Sequence, residues 1–158
     1  VDEKWFSEFY IKRFSTISPD INKFYFFLFK LVKIKKMNLI ITTGNIKLPF
    51  IKKLSDKYFI LHKKGYNYFK VGKLNIILLK KISIDNLEII TMNANNVITC
   101  HGPLSLLAGS FNVNLIDIIE KKQKKWYERH TSHITKYNKL YRMKFSKLAK
   151  KIILKLKK

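Results

Sequence analysis

The chain is poor in cysteine, in acidic residues and in long apolar runs. Cys100 is the single cysteine of 158 residues, which excludes an internal disulfide and agrees with a reducing compartment. The longest apolar run, 24–32, is interrupted by Lys30 and is far shorter than the roughly 20 residues of a spanning helix. The first residues, Val1, Asp2 and Glu3, do not resemble the basic and apolar start of a secretory signal. These absences predict a cytoplasmic protein without a transmembrane helix.

Arginine is also scarce, although the chain is strongly basic. Lysine and arginine number 33 against 10 acidic residues, a formal net charge of +23, yet only three of the basic residues are arginines. Nucleic-acid interfaces usually favour the planar guanidinium of arginine, so no nucleic-acid partner is expected. The abundance of Lys, Ile, Asn, Phe and Tyr is typical of AT-rich codons. The lysine excess is therefore explained by codon composition and a solvated surface. A charge of this size still attracts anionic partners, so a dedicated basic face remains an alternative.

Strand and helix patterns alternate over residues 1–120. Continuous apolar runs rich in β-branched residues predict strands, whereas apolar residues spaced by three and four predict helices. The predicted strands are 38–43, 58–62, 75–79, 97–100 and 114–119, the predicted helices are 2–14, 19–36, 46–54, 84–93 and 103–109, and 63–73 is a predicted loop. The alternation indicates an α/β domain over 1–120, with a Rossmann-like, mainly parallel sheet and flanking helices.

Residues 121–158 form a lysine-rich tail in which the alternation stops. The tail holds 13 lysines and two arginines against one glutamate. Apolar residues recur at helical spacing in its last part, at Phe145, Leu148, Ile152 and Leu156. We therefore expect one or two basic amphipathic helices packed on the domain, held near the anionic inner face of the plasma membrane by their charge.

A predicted strand, a tight turn and a predicted helix meet at Cys100, His101, Gly102 and Pro103. Proline suits the first position of a helix, and glycine before it allows a ligand to approach the backbone. A helix N-terminus presents unpaired N–H groups and a partial positive charge, which together hold phosphate. Ligands of parallel sheets bind beyond the carboxyl ends of the strands, so this turn is the predicted ligand site. The alternative is an ordinary strand-to-helix turn.

Residues 96–119 resemble the donor-binding motif of glycosyltransferase family 9, the heptosyltransferase-like enzymes. In that family a strand ends in Asp-Ser-Gly-Pro, followed by one residue, His-Leu-Ala, a helix and a strand. The matching run here is Cys100-His101-Gly102-Pro103-Leu104-Ser105-Leu106. The motif aspartate and histidine are replaced by Cys100 and Ser105, and His101 stands at the motif serine.

The resemblance implies a GT-B glycosyltransferase, a fold of two Rossmann-like halves. This chain would be the C-terminal half that binds the nucleotide-sugar donor, and the N-terminal half would be missing. The resemblance implies transfer of a glycosyl group to a cell-surface polysaccharide or lipopolysaccharide acceptor, with no cofactor. The donor-binding residues that it implies are Cys100, His101, Gly102, Pro103, Leu104 and Ser105.

His101 is the candidate catalytic residue of this motif. Because imidazoles titrate near neutral pH, a histidine here either donates to a phosphate or acts near an acceptor hydroxyl. A structural hydrogen bond is the alternative. We expect Cys100 to be a small buried residue rather than a nucleophile.

The aromatic and basic residues of the tail offer further contacts. Trp126, Arg129 and His130 are possible base or phosphate contacts, although packing of the tail on the sheet explains them equally well. His130 and His133 have no carboxylate or cysteine at ligand spacing, so no metal site is expected. A glycosyltransferase domain is thus the predicted function. The alternatives are a basic module that tracks nucleic-acid phosphates with 121–158, and a remnant that has lost transfer.

Overall fold

The computed structural model describes residues 21–35, 38–43, 60–63, 66–71, 74–80, 82–120 and 124–157. The predicted helices 2–14 and 46–54 lie outside these residues. In chain order the elements are α1 (Ile21–Lys35), β1 (Leu39–Thr43), β2 (Ile60–Lys63), β3 (Tyr66–Val71), β4 (Leu74–Lys80), α2 (Ile84–Met92), β5 (Asn96–Thr99), α3 (Pro103–Ser110), β6 (Asn114–Ile119), α4 (Lys124–Thr131), β7 (Tyr137–Tyr141) and α5 (Phe145–Lys157).

The fold is α/β, with parallel strands in two small sheets and flanking helices, which is consistent with a Rossmann-like fold. The chain divides into two compact units. One comprises the described residues of Val1–Ile82 and Lys144–Lys158, and the other comprises those of Ser83–Met143. The units therefore divide after residues 82 and 143, whereas the sequence predicts a division after residue 120. None of the described helices is long and apolar enough to cross a membrane.

The sheet of the first unit has four strands in the order β1-β4-β3-β2. β1 and β4 are parallel, while β4, β3 and β2 are antiparallel neighbours, so this sheet is mixed rather than mainly parallel. The predicted loop over 63–73 is wrong, because Tyr66–Val71 forms β3. Aromatic residues favour strands, and the glycines at 65 and 72 flank the strand rather than interrupt it.

Helices α1 and α5 of the first unit each bury an apolar face, and the face of α5 is the one that its spacing predicts. Phe27 of α1 meets Phe145 of α5 edge to face, with ring centroids 5.7 Å apart and an interplanar angle of 87°. The other buried residues of the two faces are Leu28, Leu31 and Val32 in α1 and Leu148, Ile152 and Leu156 in α5. The helical prediction for the end of the chain is therefore confirmed over α5.

The second unit contains a fully parallel sheet in the order β5-β6-β7. The central strand β6 is covered on both faces, since Leu115, Ile116, Ile118 and Ile119 are completely buried. The sequence correctly predicts β5, β6 and the helices α2 and α3, because continuous apolar strands alternate here with capped helices. Ser83 caps α2 by accepting the Asn86 N–H at 3.3 Å.

Strand β7 contradicts the prediction of a purely helical tail over 121–158. Tyr137 and Tyr141 are four residues apart, a spacing that places them on one helix face but also on one strand face. The backbone of β6 is hydrogen-bonded to this segment at both ends of β7. The N–H of Leu115 donates to Lys136 O and the N–H of Arg142 donates to Ile119 O, each at 2.9 Å. Pairing with β6 therefore decides between two structures that the local sequence allows.

Three asparagines form a ladder across this parallel sheet. Asn114 of β6 donates its side-chain amide to the carbonyl oxygen of Asn96 of β5 at 2.6 Å. Asn138 of β7 donates in the same way to Asn114 at 2.8 Å. These bonds lie near the amino ends of the strands and fix the register of all three.

Gly109 near the end of α3 lies directly against the Ile134 side chain. A Cβ atom on Gly109 would lie 2.5 Å from both Cδ1 and Cγ1 of Ile134, within the apolar cluster around Val113 and Leu115. We expect Gly109→Ala to lower the free energy of unfolding by about 1–3 kcal/mol, because the added methyl overpacks the cluster. Urea denaturation measures this change.

Combining Gly109→Ala with Ile134→Ala is the check on this cause. Ile134→Ala removes the atoms that clash, so the double variant should lose less stability than the two single variants together. The exposed neighbour Ser110 provides the control, since Ser110→Ala should change stability by no more than about 0.5 kcal/mol. Additive losses in the double variant would show that the close contact is not responsible.

Candidate functional site

The turn after β5 has the geometry that the sequence predicts. β5 ends at Thr99, and α3 begins with Pro103 at its first position and Gly102 as its N-cap. The Gly102 backbone is extended, with φ 170°, and so avoids the helical region that is disfavoured for the residue before a proline. The strand-to-helix turn is therefore confirmed, and it lies at the carboxyl edge of a parallel sheet, where ligands of such sheets bind.

The first turn of α3 uses several of its own N–H groups internally. Gly102 N–H donates to the Ser105 hydroxyl oxygen at 3.2 Å, and Ser105 N–H donates to Gly102 O at 2.8 Å. Pro103 has no N–H. Leu104 N–H is thus the group that the first turn can offer to an external acceptor, so an anion here would meet fewer backbone donors than at an uncapped helix terminus.

A buried aspartate on β6 organises the space behind the turn. The Asp117 side chain is completely buried, and its Oδ1 accepts the Ser105 hydroxyl at 3.0 Å. Its Oδ2 accepts the Tyr137 hydroxyl at 3.0 Å and lies 2.5 Å from Nδ1 of His101. A carboxylate is tolerated in the interior only when its oxygens are hydrogen-bonded, and these three side chains meet that requirement.

Tyr137 is held as a neutral phenol in this network. Burial raises the pKa of the Tyr137 hydroxyl, and the negative charge of Asp117 raises this pKa further. Both effects disfavour the phenolate. Tyr137 therefore keeps its hydrogen over the ordinary pH range and remains a donor to Asp117.

His101 lies between this network and an exposed tryptophan. Its side chain is 7% exposed, and its ring meets Trp126 edge to face, with centroids 5.7 Å apart. Trp126 of α4 is itself 50% exposed. The structure therefore brings together two of the predicted site residues, which are 25 positions apart in the sequence, and Trp126 is the exposed member of the pair.

Ion pairs attach α4 and the end of β7 to their neighbours. Glu128 of α4 accepts a hydrogen bond from Lys139 of β7, with Nζ and Oε1 2.5 Å apart. This bond lowers the pKa of the Glu128 carboxyl and raises the pKa of the Lys139 ammonium. Arg142 similarly pairs with Glu120. The first pair connects the helix that carries Trp126 to the strand that carries Tyr137.

The other predicted site residues occupy varied places. Cys100 is completely buried, as expected of a small core residue, and Leu104 packs against the cluster around Val97 and Ala108. Pro103 is exposed at the start of α3, and Arg129 is exposed on α4 three residues after Trp126. The His130 side chain lies outside the described part of the chain. No group of His, Cys, Asp or Glu residues that suits a metal ion occurs among the described residues.

Asp117 and Tyr137 are the two members of the site that the sequence does not predict. Asp117 interrupts an apolar strand, Asn-Leu-Ile-Asp-Ile-Ile, and acidic residues are almost never fully buried unless they are paired. That interruption is the signal that a partner for the carboxylate should be sought. The sequence does not indicate Tyr137 as a site residue, because its spacing of four from Tyr141 also fits the predicted helical tail.

No protein-family model, no curated protein and no solved structure matches the chain.

Proposed function

We propose that this chain is the nucleotide-sugar-binding half of a heptosyltransferase-like glycosyltransferase with the GT-B fold. The observation that carries the proposal is the His101 imidazole at the carboxyl end of β5, bonded to buried Asp117 and adjoining exposed Trp126. Glycosyl transfer to a hydroxyl group needs a base that takes the hydroxyl proton, and an oriented histidine is the commonest such group. The resemblance of residues 96–119 to the family 9 motif supports the same assignment.

The donor would lie across the exposed side of the turn. Leu104 N–H at the start of α3 is a donor for the diphosphate, and the exposed cations Lys124, Lys125 and Arg129 lie on the helix of Trp126. Positive groups here would stabilise the charge that develops on the leaving nucleoside diphosphate. The half-exposed Trp126 ring offers a stacking surface for the base. No metal or cofactor is needed for these roles.

The acceptor would be a glycan or glycolipid of the cell surface, and α5 supports a location at an anionic membrane. This helix contains no acidic residue. Its exposed face carries Lys147, Lys150, Lys151 and Lys155 around the exposed Leu154. Clustered lysines near an apolar side chain suit the headgroup region of anionic lipid. The acceptor-binding half and this membrane contact are parts of the proposal.

Calorimetric titration with nucleoside diphosphates tests the donor site. We expect wild-type protein to bind at least one of UDP, ADP, GDP and CDP. Gly102→Asp should weaken that binding by about tenfold or more, because it places a carboxylate where the diphosphate would lie. Aspartate is a favourable N-cap, so α3 should stay folded. Asn95→Asp, at an exposed position of the same unit, adds an equal charge away from the turn and should bind normally.

Two results would overturn this assignment. Equal affinities of Gly102→Asp and wild type would exclude the turn as the donor site. Absence of binding to every nucleoside diphosphate, together with salt-sensitive binding to single-stranded nucleic acid, would instead favour the basic nucleic-acid module.

A further inference from the structure

We infer that Asp117 is a positioning residue that fixes His101 in the tautomer protonated at Nδ1, so that Nε2 is the atom that accepts the proton of the acceptor hydroxyl. The inference rests on the proposed function for its chemical meaning and on the hydrogen-bond network for its geometry. It assigns His101 to the acceptor hydroxyl rather than to a donor phosphate, the two roles that the sequence leaves open.

The direction of the hydrogen bonds can be followed from one end of the network. The Ser105 hydroxyl oxygen accepts Gly102 N–H at 3.2 Å, and its own hydrogen points to Asp117 Oδ1 at 3.0 Å. Asp117 therefore acts as an acceptor on this side. An ionised carboxylate has acceptor sites only, and each oxygen can take two hydrogens.

Tyr137 reaches the same carboxylate from β7 as a second hydroxyl donor. Its hydroxyl donates to Asp117 Oδ2 at 3.0 Å. With Ser105 and Tyr137 both donating, the carboxylate is held as an acceptor. The remaining contact on Oδ2, 2.5 Å from His101 Nδ1, is then satisfied by a hydrogen on Nδ1.

The tautomer decides what the ring can do. A neutral imidazole with hydrogen on Nδ1 carries its lone pair on Nε2, on the other side of the ring. During transfer the hydroxyl O–H bond breaks, its proton passes to Nε2, and the oxygen lone pair forms the bond to the anomeric carbon. The bond from that carbon to the donor phosphate oxygen breaks, and its electron pair leaves with the nucleoside diphosphate. The imidazolium that forms is stabilised by the adjacent Asp117 carboxylate.

The ring nitrogens of ¹⁵N-labelled protein report the tautomer directly. At an alkaline pH, long-range ¹H–¹⁵N correlation should show His101 in the wild type with a hydrogen on Nδ1 and none on Nε2. In Asp117→Asn a carboxamide N–H faces Nδ1, so the hydrogen should move to Nε2. Tyr137→Phe keeps the carboxylate and should keep the wild-type tautomer. His133, which is exposed, is the internal reference and should not change.

The kinetic counterpart compares Asp117→Asn with the wild type, using a nucleotide sugar that the protein binds. Asp117→Asn should lower the turnover number about 10²-fold or more while the KM for the donor stays unchanged, since the variant misplaces the base and leaves the donor site intact. His133→Ala, at an exposed position of the same unit, should retain the wild-type turnover.

The outcomes separate this inference from the proposed function. A wild-type His101 protonated at Nε2, or a tautomer unchanged in a folded Asp117→Asn protein, would overturn the positioning role. The expected tautomer and its change in Asp117→Asn would support that role even if no nucleoside diphosphate bound, a result that would overturn only the glycosyltransferase assignment.

Discussion

Replacing His101 with alanine should lower glycosyl transfer by about 10²- to 10⁴-fold, the usual contribution of a positioned general base. Among the described residues, His101 is the only histidine whose ring contacts Asp117, and this variant removes that ring. Binding of the nucleoside diphosphate should persist, because the proposed donor contacts are the Leu104 N–H and the exposed face of α4. Single-turnover assays with a nucleotide sugar, with calorimetry in parallel, measure the two effects separately.

His133→Ala is the matched control for this experiment. His133 belongs to the same compact unit and is exposed, so its removal should leave both transfer and nucleotide binding unchanged. An equal loss in both variants would indicate a general effect of histidine removal. Full transfer by His101→Ala would show that another group takes the hydroxyl proton.

Removing four charges from α5 should reduce binding to anionic vesicles by about 10²-fold or more. Each lysine near a negative lipid surface contributes about 1 kcal/mol, and each 1.4 kcal/mol corresponds to tenfold in affinity. The variant carries glutamine at Lys147, Lys150, Lys151 and Lys155, all of them exposed, so the buried face of α5 is untouched. Co-sedimentation with vesicles of phosphatidylglycerol and phosphatidylcholine at low and physiological salt measures the change.

Arginine at the same four positions of α5 is the matched control, since it retains the charge and should retain binding. Wild-type protein should bind vesicles of phosphatidylcholine alone much more weakly, and its binding to the anionic vesicles should fall as salt rises. Equal partitioning of the glutamine variant and wild type would show that α5 does not face the lipid. The lysine excess of this helix would then reflect only coding composition.

The sequence predicts the second unit well up to the end of β6. Apolar runs predict β5 and β6, and Pro103 after Gly102 predicts the start of α3, because these signals are local. The strands β3 and β7 depend instead on which neighbouring strand the backbone pairs with. Tyrosines at a spacing of four fit a helix face and a strand face equally, so tertiary pairing overrides the local pattern.

In the candidate site, too, the sequence predicts the residue with a local signal and misses the residues that only the fold brings near it. His101 is predicted because it lies in a motif beside a strand end. Asp117 and Tyr137 are 16 and 36 residues further along the chain. Their approach depends on the parallel register of β5, β6 and β7, which local sequence does not specify. An aspartate within an apolar strand nevertheless indicates that its carboxylate has a buried polar partner.

In the parallel sheet, the asparagine ladder and the contact between His101 and Asp117 lie toward opposite ends of the strands. Asn96, Asn114 and Asn138 hold the three strands in register near their amino ends, while His101 and Asp117 meet toward the carboxyl edge. Because alignment is secured at one edge, residues at the opposite edge are able to change without shifting a strand. Side chains around His101 can therefore vary while the order of the three strands is kept.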